Sequence, residues 1–284
     1  MASILSSRGC DMVCAFCSQR LFWREEWRCR KPERVVDEME FLRDTYKVSF
    51  FTLIDAYPTK NRERWEKYLD LVIERDLGVL LLIETRVEDI IRDADILHKY
   101  RAAGIIHVYI GAESASKETL KSLNKGTTFE QNKLALDLCR EAGIITEASF
   151  MIGFPTETWD SIQDTIDSAI YLNPDIAVFP IVTPMPFTPI HAEMKDRIRV
   201  FDYSQYNLVT PIIEPFEMTM EEITQAHGKC YMEFYSQKMQ EIIDLEEGFK
   251  RKYMLSAFML MMKDHGNSFD FAGSGMPTHF TIST

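Results

Sequence analysis

Strand-like and helix-like segments alternate six times between residues 2 and 184, and few folds accommodate that order. The six strand-like runs are residues 2–6, 48–55, 78–86, 105–114, 144–155 and 175–184. Between them apolar residues recur at helical spacing, with Pro32 suited to the first turn of one helix and Gly104 to the end of another. Strict alternation predicts a parallel sheet with right-handed connections. The sequence therefore predicts an α/β fold, a partial (β/α)6 barrel of the TIM-like type.

The alternation stops after residue 184, where the sequence changes character. Proline and aromatic residues interrupt the next segment, and residues 219–263 have a helical pattern rich in methionine and aromatic side chains. The last residues are rich in glycine, serine and threonine. We therefore expect a barrel over residues 1–190, a C-terminal irregular and helical extension over 191–265, and a flexible tail over 266–284.

Charge and hydropathy exclude two classes of partner. The net charge of −12 argues against nucleic acid, because binding it requires a basic surface. No run of about 18 apolar residues could span a membrane, and Met1–Leu5 is too short for a signal peptide, so we expect a cytoplasmic protein. Residues 1–34 nevertheless carry seven Lys and Arg against four Asp and Glu. This basic segment favours an anionic ligand or cluster near the N-terminus.

Three of the six cysteines, Cys10, Cys14 and Cys17, are crowded together, unlike the spaced cysteines of a secreted disulfide framework. A structural zinc site normally has four protein ligands, and iron–sulfur clusters also usually take four cysteines. Three clustered thiols therefore favour a cluster with one iron left for an exogenous ligand. Two alternatives remain, in which Cys29 is a fourth cluster ligand or completes a zinc knuckle.

The stretch "SRGCDMVCAFCSQRLFWR" resembles the signature of the radical S-adenosylmethionine (SAM) enzymes. Its cysteines are spaced Cys10-x-x-x-Cys14-x-x-Cys17, directly after the first predicted strand, with Phe16 before the third cysteine. The resemblance implies that the three thiolates hold a 4Fe–4S cluster whose fourth iron is chelated by the amino and carboxylate groups of SAM. It also implies that Phe16 lies against the adenine.

Further matches to this family fall where predicted strands end, the edge of such barrels that carries the chemistry. In "LIDAYPT" the resemblance implies that Asp55 receives the SAM amino group, although Asp55 could instead cap the helix after Pro58. In "YIGAES" it implies that Glu113 and Ser114 contact the ribose or methionine part of SAM. Glu113 could also pair with Arg86, which follows the neighbouring strand.

The fifth strand ends in "MIGFPTET", which resembles the glycine-containing motif that supports the adenine in this family. The candidate residues there are Ile152, Gly153 and Phe154. A glycine at this point allows the backbone to approach a ligand closely.

Within the superfamily, "GAES", "GFPTET" and "TRVEDIIRD" are most similar to a group in which the radical SAM core follows a cobalamin-binding domain. This group includes the family of the anaerobic magnesium-protoporphyrin IX monomethyl ester oxidative cyclase and the P-methylase. Here the barrel pattern begins at Met1, and no Asp-x-His-x-x-Gly cobalamin motif occurs. We therefore expect either that the cobalamin module is a separate domain or chain, or that the protein works without cobalamin.

The resemblance implies a radical SAM enzyme with a 4Fe–4S cluster and SAM as cofactors, and cyclase-like or methylase-like chemistry on a C–H bond. It implies a porphyrin or another large apolar small molecule as substrate, and a low-potential electron donor such as flavodoxin or ferredoxin. Two other classes stay open. The chain could be a non-catalytic iron–sulfur electron carrier or partner subunit, or a zinc-stabilised binding module.

Overall fold

The structure is a computed structural model that describes residues 1–264. Its strands are β1 (Ala2–Ile4), β2 (Ser7–Arg8), β3 (Arg28–Cys29), β4 (Phe50–Leu53), β5 (Leu80–Thr85), β6 (Ile105–Glu113), β7 (Ile145–Phe150) and β8 (Ile176–Val178). Six of them form one parallel sheet in the order β1–β4–β5–β6–β7–β8, and β2 pairs with β3 in a short antiparallel ribbon. The α/β fold with a partial, TIM-like barrel predicted from the sequence is confirmed.

Helices connect the parallel strands and continue beyond the sheet. They are α1 (Gln19–Phe22), α2 (Pro32–Tyr46), α3 (Arg62–Glu74), α4 (Val87–Arg92), α5 (Leu97–Ala102), α6 (Lys117–Ser122), α7 (Phe129–Glu141), α8 (Trp159–Leu172), α9 (Pro189–Met194), α10 (Met220–Asp244) and α11 (Phe249–Asp264). Short 3₁₀ helices cover Ala94–Ile96, Lys195–Arg197 and Tyr203–Gln205. Among the described residues, no helix combines the length and the apolar character needed to cross a membrane.

The chain divides into two compact units. The first consists of Met1–Phe150, Tyr171–Val178 and Met185–Ala192, and it contains the whole sheet. The second consists of Met151–Ile170, Phe179–Pro184 and the chain from Glu193 onward. The barrel and extension boundaries expected from the sequence stay predictions, and the expected tail at 266–284 lies outside the described residues.

The first unit is held together by apolar strands and amphipathic helices. Phe51, Ile83 and Val108, on three adjacent strands, are fully buried, as expected for a parallel sheet with both faces covered. On α3, Trp65 stacks on Tyr68 with ring centroids 5.0 Å apart, and both are fully buried. The helical spacing of these apolar residues therefore corresponds to the face that packs in the core.

Two long helices predicted from the sequence are interrupted in the structure. The segment predicted as one helix over 87–104 contains α4, a 3₁₀ turn and α5, because Asp93 leaves the helical conformation and its buried carboxylate accepts hydrogen bonds from Arg92 and Tyr100. The segment 219–263 is likewise two helices, since Leu245 after α10 is extended. The break expected around 126–128 is confirmed, and Thr128 there starts α7 with a capping box.

The second unit is built around aromatic residues of α10. Phe179 donates its backbone N–H to the Tyr231 hydroxyl, and its ring packs edge-on against Tyr231 and Phe234. A capping box between Thr219 and Glu222 starts α10. The aromatic residues in this part of the sequence therefore form a core.

Candidate functional site

The loop between β2 and α1 carries three free thiols. Cys14 is buried, whereas Cys10 and Cys17 are partly exposed. Burial raises the pKa of the Cys10 and Cys17 thiols, and the nearby Cys14 raises both further. The three sulfur atoms therefore lie close enough to interact electrostatically. Because thiols must be deprotonated to bind metal, loading this loop releases protons.

The donor set of this loop fits an iron–sulfur cluster better than a zinc ion. Among the side chains that the structure describes, those of residues 1–259, no three Cys, His, Asp or Glu are grouped tightly enough to hold a single metal ion. A zinc ion needs its thiolates about 2.3 Å away, and therefore close together. In a 4Fe–4S cluster each thiolate binds a different iron, so three thiolates can stand further apart. Cys29, the alternative fourth ligand, is exposed in β3 opposite Ser7.

Backbone hydrogen bonds fix the middle of the cysteine loop. The Ala15 N–H donates to the Leu123 carbonyl over 2.8 Å, and the Ala15 carbonyl accepts from the Ile190 N–H over 3.1 Å. The next residue, Phe16, is partly exposed, with the Lys125 ammonium 6.0 Å from its ring centre. The residue that follows Cys14 is therefore tied to two segments that are distant in sequence.

Asp55 follows β4 and is only 1% exposed. Its carboxylate accepts the backbone N–H groups of Ser6, at 2.9 Å, and of Ser7, and the hydroxyls of both residues at 2.8 and 2.6 Å. The helix after Pro58 is capped by Asn61 and not by Asp55. Asp55 thus holds the chain that leads into the cysteine loop, and its contact with the SAM amino group stays a prediction.

Glu113 ends β6 in a buried ion pair that sequence reasoning missed. Its carboxylate lies 2.7 Å from the Lys125 ammonium and accepts the Ser149 hydroxyl over 3.1 Å, and both charged side chains are 8% exposed. The pairing with Arg86 considered from the sequence does not form. The adjacent Ser114 is buried and accepts the Ser116 N–H through its hydroxyl. No sequence pattern links Lys125, which lies beyond a short helix, to the end of β6.

Arg86 follows β5 and reaches the cysteine loop. One terminal nitrogen of its guanidinium lies 3.8 Å from the Cys14 sulfur. The other donates to the Glu88 carboxylate over 2.5 Å and to the Lys125 carbonyl over 2.9 Å. Burial opposes the charge, but the ion pair with Glu88 outweighs it and raises the pKa of Arg86. Arg86 is therefore a permanent cation beside one of the three thiols.

A row of polar residues crosses three strands of the first unit. Glu84, Tyr109 and Glu147 are register partners on β5, β6 and β7, on the face opposite the buried Ile83 and Val108. Solvent reaches Glu84, but protein surrounds most of its carboxylate, and this burial together with Glu147 raises its pKa to about 7. Sequence reasoning did not single out this row, although the acidic residues interrupt otherwise apolar strands.

The residues of the "MIGFPTET" motif belong to the second unit. Ile152 is fully buried and pairs with Ile181, while Phe154 is partly exposed. Gly153 has a φ of +82°, in the left-handed region that favours glycine, and its N–H donates to the Glu157 carboxylate over 2.7 Å. Glu157, which also accepts the Phe154 N–H, was missed from the sequence. It fixes the shape of this turn.

Asp55 and Arg86 follow parallel strands of one sheet, Glu113 ends a third, and the cysteine loop follows β1 through the ribbon strand β2, so all four lie at the carboxyl edge of the sheet. The profile of the Radical SAM superfamily matches residues 4–169. The chain belongs to the radical SAM superfamily. Membership in this superfamily implies a 4Fe–4S cluster and SAM as cofactors, as the resemblance of the cysteine stretch implied. That Cys10, Cys14 and Cys17 hold the cluster stays a prediction from the sequence.

Curated relatives of this radical SAM chain include a cyclase and a methyltransferase. It is 40% identical to the anaerobic magnesium-protoporphyrin IX monomethyl ester cyclase of Rubrivivax gelatinosus, over 90% of this chain and 46% of that protein. It is 28% identical to the bacteriochlorophyllide d C-12(1)-methyltransferase of Chlorobaculum tepidum, over 82% of this chain and 51% of the relative. The chain thus spans about half the length of these relatives. The resemblance to the cyclase family is confirmed.

Solved structures support the fold of this radical SAM chain. The radical SAM methyltransferase TsrM from Kitasatospora setae, solved with cobalamin and a [4Fe–4S] cluster, matches 69% of this chain and 39% of its own, with a TM-score of 0.61 at 23% identity. The cobalamin-dependent SAM radical enzyme OxsB matches 92% of this chain and 45% of its own, with a TM-score of 0.64 at 17% identity. At these identities the likeness shows the fold alone.

Proposed function

We propose that the chain is the radical SAM part of an enzyme that removes a hydrogen atom from a C–H bond of a small-molecule substrate. The observation that carries this proposal is the loop with Cys10, Cys14 and Cys17 at the carboxyl edge of the parallel sheet, in a chain that matches the superfamily profile. When bound, the cluster and SAM supply the one-electron chemistry, and the protein supplies position and exclusion of water.

The roles of the chain's own residues follow from their contacts. The Ala15 backbone bonds hold the loop so that three thiolates can face one cluster. Phe16 and the Glu113–Lys125 pair, which lie together, supply an aromatic surface and fixed charges for the zwitterionic SAM. Asp55 keeps the strand before the loop in place. The support of the adenine by the turn at residues 152–154 stays a sequence-based prediction.

For the substrate we propose a tetrapyrrole. The cyclase of R. gelatinosus and the methyltransferase of C. tepidum are both named for a tetrapyrrole substrate. The solved neighbours TsrM and OxsB contain cobalamin, and ring closure and methylation both stay candidate outcomes. We propose that a further domain or a separate chain provides cobalamin, and that flavodoxin or ferredoxin donates the electron. The cytoplasmic location stays a prediction from the sequence.

The test is cluster loading followed by SAM cleavage. The chain is reconstituted anaerobically with iron and sulfide, reduced, given SAM, and assayed for 5′-deoxyadenosine with and without cobalamin. Cys14→Ala should lose both the cluster and the product, because only two thiolates remain. Cys29→Ala is the matched control, since Cys29 is exposed and lies in the ribbon, and it should retain both.

Two outcomes would overturn the proposal. Wild-type chain that holds four irons but leaves SAM intact would indicate an electron carrier or a partner subunit. Zinc without iron or sulfide after anaerobic purification, lost in Cys29→Ala, would indicate a zinc-stabilised module.

A further inference from the structure

The guanidinium of Arg86 is held rigidly against a thiol of the cysteine loop. Its distance of 3.8 Å to the Cys14 sulfur is within the range of an N–H···S hydrogen bond. The other terminal nitrogen donates to the Glu88 carboxylate and to the Lys125 carbonyl. The side chain is only 11% exposed, so water competes little for these donors. The guanidinium therefore has few orientations other than the one that points at Cys14.

This contact has a consequence for electron transfer into a cluster at the loop. Reduction adds a negative charge that is shared by the cluster sulfides and the cysteine sulfurs. Hydrogen bonds to these sulfurs, local charge and solvent exposure set the potential of an iron–sulfur cluster. A cationic donor strengthens such a hydrogen bond. Glu88 offsets much of the net charge of Arg86, so the directed N–H···S bond is the larger influence.

We propose that Arg86 is a positioning residue that donates a hydrogen bond to the Cys14 thiolate and raises the reduction potential of the cluster. This inference rests on the proposed function, because it requires the cluster to sit on Cys10, Cys14 and Cys17. Reduction of the cluster by a given donor then depends on a residue outside the cysteine motif.

The first experiment measures the midpoint potential of the reconstituted cluster by redox titration followed by EPR. Arg86→Gln should retain four irons and shift the midpoint to more negative values than wild type. A tenfold loss in the equilibrium constant for reduction corresponds to 59 mV for a one-electron couple. Arg75→Gln is the control of equal charge change, because Arg75 pairs with Asp37 and Glu40 at exposed helical positions.

The second experiment detects the hydrogen bond itself. Chain labelled with ¹⁵N-arginine should show ¹⁵N hyperfine coupling to the reduced cluster in pulsed EPR, and the coupling should be absent in Arg86→Gln. Arg86→Lys keeps the charge but replaces the planar guanidinium fork with a single ammonium nitrogen, which does not reproduce the geometry toward Cys14, Glu88 and the Lys125 carbonyl. Its midpoint should therefore also be more negative than that of wild type. If Arg86→Gln takes up too little cluster to be titrated, the midpoint potential of Arg86→Lys decides the test.

Failure of this inference differs from failure of the proposed function. A wild-type chain with a cluster and SAM cleavage, but with unchanged midpoints in Arg86→Gln and Arg86→Lys and no ¹⁵N coupling, overturns the role of Arg86 alone. A wild-type chain that forms no cluster overturns both.

Discussion

Asp55 and Glu113 are both buried acids at the carboxyl edge of the same sheet, yet their contacts differ in kind. The Asp55 carboxylate is occupied by the backbone and hydroxyls of Ser6 and Ser7. The Glu113 carboxylate is paired with the Lys125 ammonium next to Phe16. The first acid therefore accepts main-chain and hydroxyl hydrogen bonds, whereas the second forms a charge pair beside the cysteine loop.

The different contacts of Asp55 and Glu113 indicate different roles, although the sequence suggested the same role for both. An acid after a parallel strand is a candidate ligand contact in this superfamily, and both residues were assigned to SAM on that basis. In the structure, the hydrogen bonds of the Asp55 carboxylate hold Ser6 and Ser7, which lead into the cysteine loop. Glu113 belongs to a buried charge pair beside Phe16 of the cysteine loop, and its contact with SAM stays a prediction. Variants of each residue should therefore affect different properties.

The largest effect is expected for Lys125→Met, which leaves the Glu113 carboxylate buried without its cation. Removing one partner of a buried pair typically costs about 3–5 kcal/mol, because the other charge is left uncompensated. Urea unfolding of the chain measures this loss. The double variant Glu113→Gln/Lys125→Met should recover most of it.

The matched control is Lys133→Met, which breaks an exposed pair with Asp137 on α7. Such pairs contribute about 0–1 kcal/mol. A loss for Lys125→Met no larger than for this control would show that the Glu113–Lys125 pair does not stabilise the unit.

A smaller but more localised effect is expected for Asp55→Ala. The variant leaves the buried N–H groups of Ser6 and Ser7 without an acceptor, which costs about 1–3 kcal/mol for each group. Because Ser7 lies three residues before Cys10, iron and sulfide content should fall together with stability. Asp55→Asn keeps one acceptor oxygen, so it should lose less stability and less iron and sulfide than Asp55→Ala.

The same Asp55→Asn chain tests the rival role. If Asp55 receives the SAM amino group, the variant should load a normal cluster but bind SAM more weakly. Full SAM affinity in the loaded variant would support the structural role instead.

Gly111→Ala should affect Glu113 and leave Asp55 untouched. A Cβ at Gly111 would stand 2.1 Å from the Glu113 carboxylate and 2.5 Å from the Lys125 ammonium, so the pair must move. Overpacking of this kind costs about 1–3 kcal/mol. Thermal unfolding measures it. Gly228→Ala in α10 is the control, since a Cβ there has nothing within 4 Å and alanine favours helix, so no loss is expected.

The smallest effect is a pH dependence at Glu84. Its pKa is raised to about 7 in the folded chain, above its ordinary value of 4.5, so the folded state holds this proton more tightly. Stability should therefore fall as the pH rises between about 4.5 and 7, and change little from this source above 7. The size is limited because solvent reaches the carboxylate. In Glu84→Gln the urea midpoint of unfolding should vary less with pH between about 4.5 and 7 than in wild type. The same pH dependence in both chains would contradict the raised pKa of Glu84.

Much of the fold could be predicted because alternation and cysteine spacing are local signals. The break before Thr128 was visible as Gly126 followed by threonines. The break at Asp93 was not, because a buried aspartate in a helical pattern gives no local cue. Lys125, Arg86 near Cys14, and Glu157 were missed for a similar reason, since their partners are set by how separate strands and turns come together.

The most direct test of the central claim is the EPR spectrum of the reduced, reconstituted chain before and after SAM is added. The claim is that Cys10, Cys14 and Cys17 leave one iron open and that SAM occupies it. We expect a 4Fe–4S signal whose g-values change on addition of SAM, and no such cluster in Cys14→Ala. A spectrum that SAM leaves unchanged, or an equal signal in Cys14→Ala, would contradict the account.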